Sequence, residues 1–369
     1  MSGMNISIEK KEFSEAVHKV ARFSEKRAGT LPALSTILIL AGDDGIKMRA
    51  TNLETGIDLR VDGKVFSHGA VALPATTLQQ IAGSLAGEGD LSLEHAGDLV
   101  TLTSGGGKST IKTVPYDDFP LIPLPESATN TFTIAGTLIK GLFSSVAACA
   151  SASTVRPELA SICLQVEGGM LTVVATDSFR LAEKKAPLNK KGLQGTLLIP
   201  AKNALDIAQV LPDDEIEVAF DEHQCAFSTP TSVVVSRLTN ASYPDYRQII
   251  PRDHAVEAVV LKKDLETALR RTTVFSDTFQ KVSLSIDPKK NTISLFAKNT
   301  DVGEAVERLS AKIHGDALTL SFNHRFLSAA FNLTSSESIV LQAVRIGRPL
   351  IVRGVGDNSM LYLISPMNQ

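Results

Sequence analysis

The fold is decided by a stretch that occurs three times, as VALPATTLQQIAGSLA (71–86), LLIPAKNALDIAQVLP (197–212) and LSFNHRFLSAAFNLT (320–334). Each copy begins as an apolar strand, passes through Pro74, Pro200 or Asn323, and continues at once with the apolar spacing of a helix. The copies are spaced at about 125 residues, and a fixed period predicts one structural unit repeated along the chain.

Two further landmarks recur in the same order around this stretch. An apolar strand that runs directly into a helix ends at Ile8, Ile134 and Val260. A strand that ends in alanine and two polar residues appears as MRATN (48–52), VVATD (173–177) and LFAKN (295–299). Three landmarks in one order predict three tandem units, which we place at residues 1–125, 126–252 and 253–369.

Between the helices the apolar period changes from 3.6 to two, as in ISLFA, EIEVAF and SVVVSRL, with Gly, Asp and Asn at the turns. Each unit is therefore predicted to be α+β, with two helices and about eight short strands. The six helices are predicted at 11–23, 75–86, 137–150, 201–211, 262–275 and 324–334.

Bulk composition narrows the class of protein. Hydrophobic residues make up 43% of the chain and charged residues 21%, which is an ordinary globular balance. The apolar runs are too short for a membrane span, and the first residues lack the apolar region of a signal peptide. Cys149, Cys163 and Cys225 show no metal-binding spacing, and we expect reduced core residues in a cytoplasmic protein.

Charge is distributed unevenly between the helices and the rest of the chain. The predicted helices contain ten basic and five acidic residues, so they carry +5 and the remainder carries −8 of the total charge of −3. If all six helices face one side, their joint charge of +5 would suit a polyanion that is held without base reading. Solvated helix faces also collect lysine, so charge alone leaves both interpretations open.

No motif predicts catalysis, a metal or a cofactor. SGGGKST (104–110) lacks the first glycine of a phosphate-binding loop, because Leu102 stands there, and a hairpin turn fits it better. The seven histidines show no ligand spacing. A hydrolase that uses the glycine-rich loop or Glu222 and His223 is therefore a remote third interpretation.

Three segments place polar residues beside apolar ones at strand ends, at TDSFRLAEKKAPL (176–188), SYPDYRQIIP (242–251) and LYLISPMNQ (361–369). Together they would suit the rim of an apolar pocket for a short peptide. The alternative for the last segment is an apolar strand that is simply buried in its own sheet.

With these motifs the whole chain resembles the bacterial DNA polymerase III β subunit family of sliding clamps. The resemblance also rests on LPAL (31–34), DDFP (117–120), RPELASICL (156–164) and the terminal SPM (365–367). It implies a ring of two chains joined head to tail, with helices around the hole and strands outside. Such a ring encircles duplex DNA, needs no cofactor, performs no covalent chemistry, and binds a clamp loader, the replicative polymerase and other proteins with a clamp-binding motif.

The resemblance also implies roles for individual residues. Bases expected to face DNA are Arg22, Arg27, Lys202, Arg270, Arg271 and Arg325. Residues expected at the dimer contact are Lys108, Ile111, Val274, Phe275, Glu304 and Glu307. Residues expected in a partner-peptide cleft are Leu159, Thr176, Ser178, Phe179, Arg180, Leu181, Pro244, Gln248, Ile249, Leu363, Ser365 and Met367.

Four of the cleft residues depart from the family pattern. Ser178 and Phe179 replace a usual Gly-His pair, Gln248 replaces a common arginine, and Ser365 replaces a common methionine. We expect these changes to reshape the cleft wall and alter the choice of partner. The competing hypothesis is a protein-interaction scaffold that keeps the fold without being loaded on DNA.

Overall fold

The computed structural model describes residues 3–26, 29, 31–125 and 130–367 of the chain. The chain forms two compact units. Unit 1 comprises Met1–Lys140 and Lys202–Leu238, and unit 2 comprises Gly141–Ala201 and Thr239–Gln369. Arg27 lies outside the described residues. The predicted boundary between the first two repeats falls at the edge of a described range, because residue 125 is described and residue 126 is not.

Six α-helices occur in the described residues, two per sequence repeat as predicted. They are α1 (Lys10–Val20), α2 (Ala75–Ser84), α3 (Gly136–Ala147), α4 (Ala201–Val210), α5 (Lys262–Thr273) and α6 (His324–Ala329). The last helix is shorter than predicted, because residues 330–332 tighten into a 3-10 turn. Asn323 begins α6 by accepting a hydrogen bond from the Arg325 amide at 2.9 Å.

Unit 1 contains two antiparallel sheets. The strands from the first repeat are β1 (Asn5–Glu9), β2 (Thr36–Gly42), β3 (Gly45–Thr51), β4 (Thr55–Val61), β5 (Lys64–Ser67), β6 (Gly69–Pro74), β7 (Asp90–Ala96), β8 (Leu99–Ser104) and β9 (Gly107–Lys112). From the second repeat come β10 (Thr131–Ala135), β15 (Glu215–Phe220), β16 (Gln224–Ser228) and β17 (Ser232–Arg237). The orders are β5-β1-β7-β8-β9 and β10-β15-β16-β17-β4-β3-β2-β6.

Unit 2 repeats this arrangement with a larger joint sheet. The second repeat supplies β11 (Ser161–Glu167), β12 (Met170–Thr176), β13 (Arg180–Pro187) and β14 (Gly195–Pro200). The third repeat supplies β18 (Val256–Leu261), β19 (Lys281–Asp287), β20 (Thr292–Asn299), β21 (Gly303–Ser310), β22 (Lys312–Gly315), β23 (Leu318–Asn323), β24 (Ser338–Ala343), β25 (Leu350–Gly354) and β26 (Met360–Ile364). The orders are β14-β11-β12-β13-β26-β25-β24-β18-β22 and β21-β20-β19-β23.

The two long sheets each combine strands from two repeats. In unit 1, β17 pairs with β4, and in unit 2, β26 pairs with β13, both antiparallel. This pairing satisfies backbone N–H and C=O groups that would otherwise line two open edges. The period in the sequence and the packing in space therefore divide the chain at different places.

The core consists mainly of aliphatic side chains, as expected for a chain without tryptophan. Burial alternates along β1 and β10, whereas every residue of β26 is buried. The C-terminal strand is thus a core strand of its own sheet, and only the residues after it can line a surface. Cys149, Cys163 and Cys225 are buried free thiols, as expected.

The glycine-rich segment forms a tight hairpin between β8 and β9, with Gly105 at φ 59°. A left-handed residue is what a two-residue hairpin loop requires, so the hairpin interpretation is confirmed. Among the described residues, no helix is long and apolar enough to cross a bilayer.

Candidate functional site

The turn between β12 and β13 is fixed by its own side chains. Thr176 Oγ1 donates to the Arg180 carbonyl at 2.7 Å and accepts from the Ser178 amide at 3.2 Å. Asp177 Oδ1 accepts from the amides of Phe179 and Arg180, both at 3.0 Å, and its other oxygen accepts from Arg180 Nε at 2.9 Å. Ser178 has φ 77°, a conformation rare for a residue with a Cβ, and the next side chain, that of Phe179, is exposed.

Strand β26 lies beside this turn and supplies the next wall. Leu363 pairs with Leu181 across the two strands, and both side chains are buried. After the strand, the Ser365 amide donates to the Phe179 carbonyl at 2.8 Å, and the Met367 amide donates to the Ser321 carbonyl at 2.7 Å. The end of the chain is therefore held along the turn, which leaves Ser365 and Met367 half-buried.

Residues 243–250 pack onto the same sheet through three side chains. Tyr246 is buried in a cluster with Leu181 and Leu363, and Tyr243 and Ile250 pack against that cluster. The Tyr246 hydroxyl donates to Glu183 Oε2 at 2.7 Å, and Lys185 contacts the other Glu183 oxygen at 2.9 Å. Burial raises the pKa of the Tyr246 phenol, so it remains a neutral donor.

Loss of the Tyr246 hydroxyl should destabilise unit 2. Tyr246→Phe leaves a buried Glu183 oxygen without its donor, which costs roughly 1–3 kcal/mol. Urea denaturation should show this decrease in the free energy of unfolding. The matched control is Tyr116→Phe in unit 1, where the side chain is 40% exposed and no such decrease is expected. Equal effects of the two changes would contradict a special role for the Tyr246 hydroxyl.

An aromatic contact bridges the turn and helix α6. The rings of Phe179 and Phe326 stack with centroids 6.4 Å apart, and the Arg180 guanidinium lies 4.6 Å from the Phe326 centroid. Phe179 remains 62% exposed. Phe326 was not predicted as a site residue, because its contact with Phe179 joins segments that are far apart in the sequence.

The predicted cleft residues all belong to unit 2 and divide into two sets. Leu159, Thr176, Leu181 and Leu363 are buried, and Leu181 and Leu363 belong to one apolar cluster, which we call the floor. The others remain accessible as a rim, namely Ser178, Phe179, Arg180, Pro244, Gln248, Ile249, Ser365 and Met367. Within the rim, Ile249 is 50% exposed and Gln248 donates to Asp245 at 2.9 Å.

The predicted DNA-facing bases occur in both units. In unit 1, burial raises the pKa of the Asp206 carboxyl, and the positive charges of Lys202, Arg22 and Lys26 oppose that shift. In unit 2, Arg325 is exposed at the start of α6, Arg270 lies 3.4 Å from Glu266 and Arg271 lies 3.7 Å from Glu307. One predicted DNA-facing base thus contacts an acid that was predicted at the dimer interface.

The predicted dimer residues lie on or beside edge strands. Lys108 and Ile111 are on β9, the last strand of the five-stranded sheet, with Lys108 exposed and Ile111 buried. Glu304 and Glu307 are on β21, the outer strand of the four-stranded sheet. Beside β21, Val274 is 66% exposed and Phe275 half-buried, and Glu304 lies 3.7 Å from Lys298.

Titratable groups in the described residues offer no reactive centre. No group of three histidine, cysteine or acidic side chains is arranged to hold a metal there. Burial raises the pKa of the Cys149, Cys163 and Cys225 thiols to about 12, so they remain protonated and poor nucleophiles.

Comparison with known families decides which kind of protein carries this arrangement. Models of the N-terminal, central and C-terminal domains of the DNA polymerase III beta subunit match residues 4–123, 133–245 and 247–368. The chain belongs to the DNA polymerase III beta subunit family. The three family models follow one another along the chain, and its fold is the clamp fold.

Relatives match this family member over nearly its whole length. The beta sliding clamp of Synechococcus elongatus is 28% identical over 374 residues, covering 99% of both chains, and that of Bacillus subtilis is 26% identical, also with 99% coverage of both. The crystal structure of the B. subtilis DNA polymerase sliding clamp matches with a TM-score of 0.93 at 26% identity and full coverage of both chains. That of the Thermotoga maritima DNA polymerase III beta subunit has the same TM-score at 24% identity, covering 99% of this chain and 100% of that chain.

Proposed function

We infer that this protein is a sliding clamp that encircles duplex DNA and keeps the replicative polymerase attached to it. The observation that carries this proposal is the uninterrupted series of three beta-subunit domain matches along one chain. The proposed role is a non-catalytic one. The three repeats at 1–125, 126–252 and 253–369 are proposed as its domains, and replication places its work in the cytoplasm.

The ring is proposed to close between two copies of the chain. Strands β9 and β21 each end a sheet, so each presents a row of unpaired backbone groups to a neighbour. Exposed apolar side chains lie on β21, at Val306, and beside it in the sequence or at the end of α5, at Val302 and Val274. Charged residues of β21, among them Glu304 and Glu307, lie close by. Apolar anchors within a polar rim are the usual anatomy of a protein interface. Pairing of β9 from one copy with β21 from another would bury both edges.

Partner proteins are proposed to bind the unit 2 cleft through a short peptide. The buried leucines of the floor and the exposed Phe179 and Ile249 offer apolar contacts. The backbone of residues 365–367, fixed by two hydrogen bonds, forms one side of the cleft. Clamp loader, polymerase and other proteins with a clamp-binding motif would compete for this surface. The Phe179–Phe326 stack favours peptides that bring an aromatic ring.

DNA is proposed to contact the helices only through its phosphates, without base reading. The change Arg22→Gln with Lys202→Gln should flatten the plot of log affinity against log salt by about 0.9 for each phosphate that is no longer neutralised. Fluorescence anisotropy with a labelled duplex of arbitrary sequence measures the slope. Lys64→Gln with Lys289→Gln removes two exposed charges outside the helices and should leave the slope unchanged. The same slope in both variants would place DNA elsewhere.

A further inference from the structure

The turn that carries Phe179 has a close counterpart in unit 1. Thr51 Oγ1 donates to the Thr55 carbonyl at 2.8 Å and accepts from the Leu53 amide at 3.1 Å. The corresponding distances around Thr176 are 2.7 and 3.2 Å. Leu53 also shares the unusual backbone of Ser178, with φ 70°. Such a conformation is uncommon for residues with a Cβ, so its occurrence at both turns indicates one shared geometry within the chain.

The strands around the two turns correspond as well. The oxygen Asn52 Oδ1 accepts from the amides of Glu54 and Thr55 at 3.0 and 2.7 Å, as Asp177 does in unit 2. The Arg237 amide donates to the Glu54 carbonyl at 2.8 Å, which reproduces the bond between Ser365 and Phe179. Unit 1 therefore holds a second copy of the frame on which the proposed peptide cleft is built.

The two copies differ at the floor. In unit 2, Leu181 pairs with Thr176 on one side and with Leu363 on the other. In unit 1 the corresponding residue is Gly56, which pairs with Thr51 on one neighbouring strand and with Val235 on the other. Strand β4 of unit 1 therefore has no side chain at the position where β13 of unit 2 has the Leu181 side chain.

Ile122 fills the place that Gly56 leaves. A Cβ built on Gly56 would lie 3.0 Å from two side-chain carbons of Ile122 and 3.1 Å from a third. Ile249 is half-exposed at the rim of the unit 2 cleft, whereas Ile122 sits against bare backbone.

What remains of the unit 1 groove is small. Beside Ile122 a cavity of about 120 Å³ is left, lined by Leu53, Gly56, Leu121 and Val235 among others. Ligand pockets measure roughly 300–1,000 Å³, so this remnant is too small for a peptide.

We infer that unit 1 contains a second peptide cleft that the chain closes with its own Ile122, seated on Gly56, so that each chain offers one peptide site. This inference rests on the proposed peptide binding at unit 2. The glycine is the enabling residue, because a Cβ there would already contact three side-chain carbons of Ile122 too closely and force the isoleucine to shift, and a larger side chain would force it further. The segment around Ile122 then acts as a permanent internal occupant.

The contact between the Ile122 side chain and Gly56 can be tested without any peptide. Ile122→Cys and Ile249→Cys introduce single reactive thiols, since the native cysteines are buried. Under native conditions N-ethylmaleimide should modify the thiol from Ile122→Cys about tenfold more slowly, as expected for a group held against the protein. Adding Gly56→Val, or the milder Gly56→Ala, should remove most of that protection. Equal rates at the two sites, or protection that survives both glycine changes, would overturn the inference.

A second experiment tests the closure itself. The probe is a synthetic hexapeptide with one leucine and one phenylalanine as its only apolar residues, titrated by calorimetry. The parent protein should bind one peptide per chain and Ile122→Ala should bind two. One peptide per chain in Ile122→Ala would overturn the closure. No binding to the parent protein would count against the proposed unit 2 cleft, while the labelling rates would still decide whether Ile122 is seated.

Discussion

On nicked circular DNA the protein, once loaded by its clamp loader, should remain bound at least about 100-fold longer than on the same DNA after linearisation. Non-specific phosphate contacts give dissociation constants of only about 10⁻⁴–10⁻⁶ M, so a protein held by these contacts alone leaves rapidly. A closed ring on a circle has no end to slide from and must open first. Gel filtration of the two complexes measures the difference.

Opening the ring by mutation should abolish this retention. Val274→Asp with Val306→Asp puts two charges into the apolar surface beside β21, where the side chains are 66% and 51% exposed in the single chain. Disrupting two central apolar anchors costs about 3–4 kcal/mol, which weakens the dimer by more than about 100-fold. Analytical ultracentrifugation should show the 39.4 kDa chain in place of a species of twice that mass.

The control for this variant is Val355→Asp, which changes a 46% exposed valine away from both edge strands and should leave retention intact. Equal retention on circular and linear DNA by the parent protein would contradict encirclement. That outcome would favour the scaffold hypothesis, in which the fold serves protein binding alone.

Removal of the two exposed apolar side chains from the cleft rim should weaken peptide binding about 30- to 900-fold, at roughly 1–2 kcal/mol for each side chain. The change is Phe179→Ala with Ile249→Ala. Both side chains are largely exposed, at 62% and 50%, so folding should be preserved. Anisotropy of the labelled hexapeptide, which carries leucine and phenylalanine anchors, gives the dissociation constants.

A matched control for the cleft exists in the same chain. Phe66→Ala with Leu261→Ala removes one phenylalanine and one aliphatic side chain that are 65% and 52% exposed outside the cleft. We expect unchanged affinity for this variant. Equal weakening in the two double variants would show that the peptide binds to exposed apolar surface in general.

Much of the fold could be predicted from the sequence because its repeat is strong. The strand-to-helix junctions at Pro74, Pro200 and Asn323 all lie where the structure ends a strand and begins a helix. The sequence could not show that β17 pairs with β4 or β26 with β13, because strand pairing between repeats leaves no mark in a periodic pattern. The short α6 was also missed, since residues 330–334 keep helical spacing while the chain tightens.

The site was predicted less completely. The motif resemblance predicted the rim and floor residues of the proposed cleft, and all of these residues belong to unit 2. It missed Phe326 and Tyr246, whose contacts with Phe179 and Glu183 are made between segments far apart in the sequence. The sequence alone shows that the predicted helices together carry a positive charge. It could not predict the ion pair between Arg271 and Glu307, because the two residues lie on different elements of the fold.

The division of the second repeat between the two units has a consequence for damage to the chain. The polypeptide passes from one unit to the other three times, after Lys140, Ala201 and Leu238. One peptide bond broken at any of these points divides the chain into two fragments, but the fragments still share a sheet. A cut after Lys140 leaves β4 paired with β17, a cut after Leu238 leaves β13 paired with β26, and a cut after Ala201 leaves both pairs. A protease that nicks the chain there once therefore leaves two pieces that backbone hydrogen bonds inside a unit hold together.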